Sequence, residues 1–242
     1  MSNALSSALS ALSPETRELL RGELQRRLDD GEYRRRLYGY YPDEGPLRRE
    51  LYPRHLAFFR AGAEHKERLF LAANRVGKSE GAGGYETTLH LLGEYPTWWE
   101  GRRFIKPIVA WAAGKSKQDV RDSIQKILCG PATAIGTGLI PGDRIERITP
   151  NGLPDGIDSV LVRHQTGRLS QLTFKSYETG REGFQAATID LGWCDEEPPL
   201  SIYTEFLLRT MTTDGLMMCT FTPLQGLSDT VLSFMPDGRI PT

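Results

Sequence analysis

Cysteine is scarce in this sequence of 242 residues, which has three cysteines, at positions 129, 194 and 219. They are odd in number, widely spaced and without a Cys-x-x-Cys pair, which argues against a disulfide framework and against a zinc site. Long apolar runs are also missing, since no segment reaches the roughly 20 apolar residues of a membrane-spanning helix. Residues 1–12 lack the basic start and apolar core of a secretory signal. The sequence therefore predicts a soluble protein of a reducing compartment with no membrane partner.

The charge is nearly balanced, with 30 basic and 31 acidic residues and a formal net charge of -1. Whole-chain charge therefore gives no support for a nucleic-acid partner and little against one. An Asn-Lys-x-Asp guanine-recognition motif is absent from the sequence, which sets aside the GTPase switch class. A hydrophobic content of 39% over this length is enough for one globular unit with a sizeable core.

The most informative motif lies in residues 69–79, which read Leu-Phe-Leu-Ala-Ala-Asn-Arg-Val-Gly-Lys-Ser. A phosphate-binding loop needs a strand, a tight turn of backbone N–H groups, a lysine for the β- and γ-phosphates, and a Ser or Thr hydroxyl for Mg²⁺. The apolar run, Lys78 and Ser79 meet these needs. Ala72 departs from the pattern, because it stands where the first glycine is usual and the loop must turn there without glycine's left-handed freedom.

The residues after this loop favour the same interpretation. Residues 80–92 read as a helix, so strand, loop and helix follow in the required order. A Gly-Lys-Ser tripeptide also occurs by chance in solvated loops, and this context favours nucleotide binding over that alternative. The expected nucleotide-binding residues are Ala73, Asn74, Arg75, Val76, Gly77, Lys78 and Ser79.

A second motif follows residues 186–194, a mostly apolar segment predicted to be a strand that ends in Asp-Glu-Glu-Pro-Pro at 195–199. This pattern is typical of a Walker B motif. One carboxylate would hold the Mg²⁺ shell and the next would polarise a water for attack on the γ-phosphate, so we assign Asp195 to the metal and Glu196 to the water. The alternative is an ordinary acidic turn before a helix. With the P-loop upstream, the pair of motifs predicts an ATP hydrolase that uses ATP and Mg²⁺.

A third motif ends the predicted strand over residues 216–223, which reads Leu-Met-Met-Cys-Thr-Phe-Thr-Pro. In a parallel sheet the carboxyl ends of the strands surround the nucleotide, so Thr220 or Thr222 could contact the γ-phosphate water and sense hydrolysis. The alternative is a strand end with hydrogen-bonding threonines and no further role.

The sequence is expected to form an N-terminal helical arm over residues 1–60 and a P-loop ATPase core over residues 61–242. The arm begins with Ser13 as N-cap and Pro14 at the first helical position, followed by a leucine stripe.

Further elements of the core follow from periodicity and turn residues. A strand is predicted over 106–113 and a helix over 116–128. Residues 130–156 are rich in glycine and proline and read as turns or a surface insertion. Finally, 159–164 and 169–176 alternate like a hairpin, and Pro198-Pro199 opens a helix that continues through Arg209.

The three motifs, in this order, resemble those of the N-terminal ATPase domain of the large terminase subunit of tailed bacteriophages. The resemblance spans most of the chain and includes Tyr-Pro-Thr-Trp-Trp at 95–99, Gly-Phe-Gln at 183–185 and Thr-Phe-Thr-Pro-Leu at 220–224. It implies an α/β fold, a three-layer P-loop NTPase of the RecA-like ASCE class, with a mainly parallel central sheet and the helical arm packed outside. In this class the catalytic glutamate lies on its own strand beside the P-loop strand.

The resemblance also implies a motor that hydrolyses ATP to drive double-stranded viral DNA into a preformed procapsid. The implied partners are DNA, the portal protein, the small terminase subunit and further copies of the chain in a ring on the portal. The implied location is the host cytoplasm and, transiently, the procapsid. Family members continue into an RNase-H-like nuclease, so this sequence is expected to be an isolated motor domain without nuclease activity. It is also expected to be a monomer with slow ATP turnover, because a ring needs the portal or neighbouring copies to bring an arginine into place.

Carried over residue by residue, the resemblance implies that Lys78 contacts the β- and γ-phosphates, that Ser79 and Asp195 hold Mg²⁺, and that Glu196 activates water. Thr220 and Thr222 would belong to the motif that couples hydrolysis to movement.

Two arginines are further candidates. Arg75 matches the loop arginine of terminases, and its charge could stabilise the phosphoryl transition state. Arg181 is a possible arginine acting on the nucleotide of a neighbouring subunit, although Gln185 holds one position where that arginine is expected. His55 stands where the family often has a glutamine near the adenine.

Two alternatives remain open at this stage. A helicase or another nucleic-acid-dependent P-loop ATPase would share the three motifs. A non-catalytic assembly protein with a degenerate nucleotide site would explain the missing first glycine at Ala72, but not the intact Lys78, Asp195 and Glu196.

Overall fold

The computed structural model describes residues 13, 16, 18, 19, 22, 36–185, 187–223 and 226–235. Half of the predicted helical arm, as well as Ala186 and Leu224 of the motifs above, lies outside these residues. The described part contains one sheet of seven strands in the order β1-β7-β6-β2-β5-β4-β3. The strands are β1 (Glu67–Leu71), β2 (Val109–Gly114), β3 (Ile145–Pro150), β4 (Ile157–Arg163), β5 (Leu169–Ser176), β6 (Leu191–Asp195) and β7 (Leu216–Phe221).

Helices cover the sheet, and none of the described ones is long and apolar enough to cross a membrane. The α-helices are α1 (Pro53–Ala61), α2 (Tyr85–Leu92), α3 (Lys117–Val120), α4 (Lys126–Cys129), α5 (Leu200–Thr210) and α6 (Asp229–Ser233). Two π-helical segments extend them, Lys78–Gly84 before α2 and Arg121–Gln125 between α3 and α4. Short 3-10 turns occupy Arg36–Gly39, Arg49–Leu51, Ala132–Ala134, Gly142–Arg144, Tyr177–Thr179, Arg181–Phe184 and Met211–Thr213.

Alternating side chains of the central strands pack into two separate cores, one on each face of the sheet. On β7, Leu216 and Met218 belong to the core that contains α1 and α2, whereas Met217 and Cys219 belong to the core that contains α5. All of β7 is buried, as expected for a strand covered on both faces. The predicted three-layer α/β sandwich with a mainly parallel sheet is therefore confirmed.

The parallel part of the sheet brings the predicted motifs to one edge. Leu71 of β1 pairs with Phe221 of β7, and Asp195 of β6 pairs with Thr220 of β7, so the chain leaves all three strands at the same end. The expectation that the strand of the catalytic glutamate lies directly beside the P-loop strand is wrong, because β7 is inserted between β1 and β6. The third motif thus lies between the other two.

Several predicted elements have different boundaries in the structure. Residues 130–156 are not turns alone, because they contain the edge strand β3. Its side chains do not alternate between buried and exposed, and its register with β4 is irregular, so the usual strand pattern is missing. The predicted strand over 186–194 is shorter and begins at Leu191, since the carboxylate of Asp190 accepts the Val109 N–H at 2.8 Å. The hairpin of β4 and β5, the helix after Pro199 and the helix over 116–128 are confirmed, the last with Ser116 as its N-cap.

A buried ion pair joins β1 to the helix that follows the P-loop. The Arg68 guanidinium donates to both carboxylate oxygens of Glu86 at 2.6 and 3.0 Å, and its Nη1 also donates to the Phe58 carbonyl. Neither side chain is more than 3% exposed. Burial raises the pKa of Glu86, but the Arg68 charge and the His90 hydrogen bond outweigh it and hold the pKa below its usual range. The strand and helix on either side of the loop are thereby held together.

Candidate active site

A cavity of about 610 Å³ lies at the carboxyl ends of the parallel strands. This is the edge at which open α/β sheets bind ligands. Seven of the predicted site residues line it, and they come from all three motifs: Asn74, Lys78, Ser79, Asp195, Glu196, Thr220 and Thr222.

The P-loop turns without a glycine at its start. Left-handed backbone occurs at Arg75, with φ 64°, and at Gly77, with φ 80°, and not at Ala72. Ala72 instead extends the strand pairing by donating its N–H to the Phe221 carbonyl at 3.4 Å. The missing glycine therefore costs the loop nothing at that position, which removes the only sequence argument for a degenerate site. The Lys78 ammonium donates to the Ala73 carbonyl and the Asn74 side-chain oxygen, each at 3.4 Å.

Helix α1 supports the loop from behind through a buried histidine. His55 Nε2 donates to the Val76 carbonyl at 3.0 Å, because a carbonyl oxygen can only accept. Its Nδ1 lies 2.6 Å from the Tyr41 hydroxyl, which is also 2.7 Å from the Gly81 carbonyl. Burial lowers the pKa of His55, so the neutral ring is favoured. His55 thus holds the loop at Val76, and Tyr41 holds the π-helical segment after the loop at Gly81.

An aromatic cavity of about 790 Å³ adjoins the same loop and is lined by Gly77 of the loop and Gly81 of the π-helical segment that follows it. Tyr40, Tyr52 and Leu47 supply much of its wall, and His55 lies in it as well. His55, the residue predicted to lie near the base, therefore faces an apolar, aromatic space beside the P-loop. Its own hydrogen bonds are to the loop backbone and to Tyr41.

Asp195 is buried, at 5% exposed, and holds a fixed orientation. Its Oδ1 accepts the Thr220 hydroxyl at 2.8 Å, and Thr220 in turn accepts the Trp193 indole N–H at 2.8 Å. Burial raises the pKa of Asp195, while hydrogen bonds from Ser79 and Thr220 and the Lys78 charge oppose that rise. Burial is the larger effect and the pKa stays above its usual value, so a cation bound beside Asp195 would favour its ionised form.

The oxygen atoms of Ser79 and Asp195 fit Mg²⁺, which prefers hard oxygen ligands. Within the described part of the chain, no group of three or more His, Cys, Asp or Glu side chains could hold a metal ion. A Mg²⁺ site does not require such a group, because this ion takes one or two carboxylates and completes its shell with waters and substrate phosphates.

Glu196 follows β6 in a left-handed backbone conformation, with φ 70°. Its N–H donates to the Thr220 carbonyl at 3.2 Å. Burial, followed by the charges of Asp119 and Asp195, raises the pKa of this carboxyl group, against the opposing charges of Lys115 and Lys78. A raised pKa brings a carboxylate closer to the range useful for a general base.

The two threonines of the third motif contact different partners. Thr220 bonds Asp195, as described above, whereas the Thr222 hydroxyl lies 2.8 Å from the Ala72 carbonyl oxygen and 2.9 Å from Asn74 Oδ1. Strand β7 therefore contacts the acidic motif through Thr220, and Thr222, just after the strand, contacts the P-loop.

The two predicted arginines lie outside the set that lines the cavity. Arg75 is exposed at the tip of the P-loop. Arg181 lies in the turn Arg181–Phe184, where its Nε donates to Glu205 of α5 at 2.8 Å. Glu205 also accepts from Arg209, and the Arg181 hydrogen bond is the main cause that lowers the pKa of its carboxyl group.

Sequence reasoning missed several residues of the cavity and its supports. Lys115 and Asp119 line it from the loop and helix that follow β2, and Tyr177 lines it from the turn after β5. Trp193 packs beneath it, where Gly83 lies too close to the indole ring for any side chain. The signal for Lys115 was its place at the end of a predicted strand, whereas nothing in the local sequence singles out Tyr177.

Two known proteins are similar to this chain. The terminase large subunit of Salmonella phage P22 is 37% identical over 205 residues, covering 76% of this chain and 41% of that protein. The chain thus spans less than half the length of that relative. The solved structure of a large terminase from a thermophilic bacteriophage covers 79% of this chain and 38% of its own, with 10% identity and a TM-score of 0.48.

The family model for the N-terminal part of T4-like-virus-type terminase large subunits matches residues 69–238, from the end of β1 to beyond α6. The matched range contains the P-loop, the acidic motif and the threonine motif, which are the three parts of the cavity. The chain therefore belongs to the terminase large-subunit family.

Proposed function

We propose that this chain is the ATPase motor domain of a terminase large subunit, which hydrolyses ATP with Mg²⁺ to move double-stranded viral DNA into a procapsid. The observation that carries the proposal is the meeting of Lys78 and Ser79 with Asp195 and Glu196 in one cavity. Family membership supplies the DNA-packaging context, and the site supplies the chemistry.

In this proposal the P-loop backbone and Lys78 bind the β- and γ-phosphates. Ser79 and Asp195 hold Mg²⁺, which when bound neutralises negative charge on the phosphates. Glu196 orients the attacking water and accepts its proton. Thr220 and Thr222 contact the two sides of the cavity, so a change at the phosphates would reach both motifs through β7.

The adenine would occupy the aromatic cavity beside the P-loop. Its tyrosine rings and leucine provide the flat apolar surface that a base requires, and Gly77 and Gly81 place it next to the phosphates. This placement also explains why His55 can stand where a glutamine was expected, because its hydrogen bond fixes the loop rather than the base.

Partners complete the motor in the proposal. DNA, the portal protein, the small terminase subunit and neighbouring copies in a ring would act on this domain in the host cytoplasm. Arg75, exposed on the loop, would reach the transferring phosphoryl group from within the chain. Arg181 would serve a neighbouring subunit only after releasing Glu205.

The test is ATP hydrolysis by the chain and by Glu196→Gln, each with and without double-stranded DNA and over a range of protein concentration. Glu146→Gln on β3 is the matched control, because its carboxylate pairs with Arg163 at the far end of the sheet. We expect Glu196→Gln to lose at least about 100-fold in rate and the control to keep wild-type activity.

The same assay separates the alternatives. A turnover number per protein molecule that rises with added DNA or with protein concentration supports a motor that is completed by its neighbours. Bound nucleotide without hydrolysis under any condition would favour a non-catalytic assembly protein. A helicase would be indicated by ATP-dependent separation of a DNA duplex, which a packaging motor does not perform.

A further inference from the structure

Tyr177 is a buried tyrosine whose hydroxyl reaches the acidic side of the cavity. It is the first residue after β5, in the turn Tyr177–Thr179, and is 8% exposed. Its ring belongs to the core on the α5 face of the sheet. Strand β5 is separated from β6 by β2, so the side chain extends past the end of β2 to reach the acidic motif.

Three backbone carbonyl oxygens surround the hydroxyl of this tyrosine. The Tyr177 oxygen lies 3.2 Å from the Ala113 carbonyl, 3.2 Å from that of Asp195 and 3.1 Å from that of Glu196. The pairing between β2 and β6 ends at Ala113 and Cys194, just before this point. The phenol O–H is therefore a donor shared among carbonyl groups at the place where the ladder of β2 and β6 stops.

The peptide that the hydroxyl contacts has an unusual conformation. Glu196 adopts φ 70°, a region that residues other than glycine seldom occupy without support from their surroundings. Its N–H is bound by the Thr220 carbonyl at 3.2 Å, and its C=O is bound by Tyr177. The backbone of Glu196 is thus held from both sides, on one side by β7 and on the other by this phenol.

We propose that Tyr177 is a positioning residue for hydrolysis, whose hydroxyl holds the Glu196 peptide in the conformation that aims the carboxylate at the attacking water. The inference rests on the proposed function of Glu196 as the general base. Tyr177 has no contact with the phosphates in this scheme, and it acts through the backbone of Glu196.

The hydroxyl group, rather than the ring, carries the role. Phenylalanine would fill the same space in the core but would remove the O–H donor that faces these three carbonyl oxygens. Burial raises the pKa of Tyr177 well above its usual range, so the hydroxyl keeps its proton at any physiological pH.

The test compares Tyr177→Phe with Tyr203→Phe in the full chain. Tyr203 is also buried, and its hydroxyl donates to Glu67 at 2.5 Å, away from the cavity. We expect Tyr177→Phe to lower kcat by about ten- to a hundredfold, because a small displacement of a catalytic group has effects of this size. KM and the affinity for a non-hydrolysable ATP analogue should stay within about twofold, since the P-loop is not altered. Tyr203→Phe should keep kcat within about twofold.

Incorporation of 4-aminophenylalanine at position 177 restores an N–H donor on the same ring and should recover most of the lost kcat. Rescue by this residue keeps the proposal testable if Tyr177→Phe proves poorly folded. Equal kcat in wild type and Tyr177→Phe, or equal losses in the two Phe variants, would overturn the proposal. Failure of the proposed function would look different, because wild type itself would then not hydrolyse ATP.

Discussion

The two sides of the cavity are built in opposite ways. The P-loop side comes from one continuous segment, residues 72–79, most of it exposed and shaped by its own turn at Arg75 and Gly77. The acidic side is assembled from the ends of β2, β5, β6 and β7, and in it Asp195 is buried whereas Glu196 is exposed. There Asp195 is fixed by Thr220, and the Glu196 peptide is fixed by Thr220 and Tyr177.

This structural difference corresponds to the different functions proposed for the two sides, nucleotide binding and hydrolysis. A loop that must admit and release a nucleotide benefits from exposure and from backbone donors that are free to bind. A base that must hold one direction benefits from a rigid setting in which every backbone group has a partner. We therefore expect changes behind the P-loop to affect nucleotide affinity and changes behind the acidic side to affect the rate of hydrolysis.

The largest effect on stability is expected from Arg68→Met, which removes one partner of the buried pair beneath the P-loop. Glu86 would be left buried with only the His90 hydrogen bond, and breaking a buried pair in this way destabilises by about 3–5 kcal/mol. Urea denaturation measures the change. Arg163→Met breaks an exposed pair with Glu146 and should cost less than about 1 kcal/mol. Similar costs for both variants would show that the buried pair does not support this side.

A smaller loss of stability is expected from Gly83→Ala. Gly83 lies in the π-helical segment Lys78–Gly84 and packs against Trp193 of β6. Alanine usually stabilises a helix, but here its Cβ would meet the Trp193 indole, so overpacking should cost about 1–3 kcal/mol. Gly39→Ala, where a Cβ meets nothing nearby, should stay within about 0.5 kcal/mol. Thermal unfolding of both variants tests this, and a stabilised Gly83→Ala protein would contradict the packing described.

His55→Phe should weaken nucleotide binding by about fivefold, which corresponds to the loss of one hydrogen bond of about 1 kcal/mol to the loop. The rate of hydrolysis at saturating ATP should change little, because Glu196 is not displaced. His55→Gln retains an N–H donor and should recover part of the affinity. Titration with a fluorescent ATP analogue measures the affinity of both variants. A loss of kcat with unchanged affinity would contradict the separate roles of the two sides.

The smallest effect is expected from Asp214→Asn, just before β7, at the end of the sheet opposite the cavity. Hydrogen bonds from Lys66 and Arg102 lower the pKa of Asp214 to about 2. A lowered folded-state pKa adds stability above the unfolded-state value of about 4, and this stability is lost as the pH falls toward 2. Asp214→Asn should therefore be slightly less stable than wild type at pH 7, and the difference should shrink below about pH 4. Activity should not change, and a pH-independent difference would contradict the ion-pair explanation.

The P-loop side could be predicted almost completely from the sequence, because its residues are neighbours in the chain. Most strands and helices could also be predicted in their order along the chain. The exceptions are α6, for which no prediction was made, and β3, which is exposed at the edge of the sheet and has an irregular register with β4. The acidic side could be predicted only as far as Asp195, Glu196 and the threonines. Tyr177 and Trp193 act through contacts between strands distant in sequence, and no local pattern marks them.

The central claim is that one side of the cavity binds the nucleotide and the other performs the chemistry. The most direct test measures affinity for an ATP analogue and single-turnover hydrolysis in Lys78→Ala and Glu196→Gln side by side. We expect Lys78→Ala to lose at least about tenfold in affinity, because it removes the charge that binds the phosphates. Glu196→Gln should keep its affinity within about twofold and lose at least about 100-fold in hydrolysis. Hydrolysis at the wild-type rate in Glu196→Gln would contradict the account.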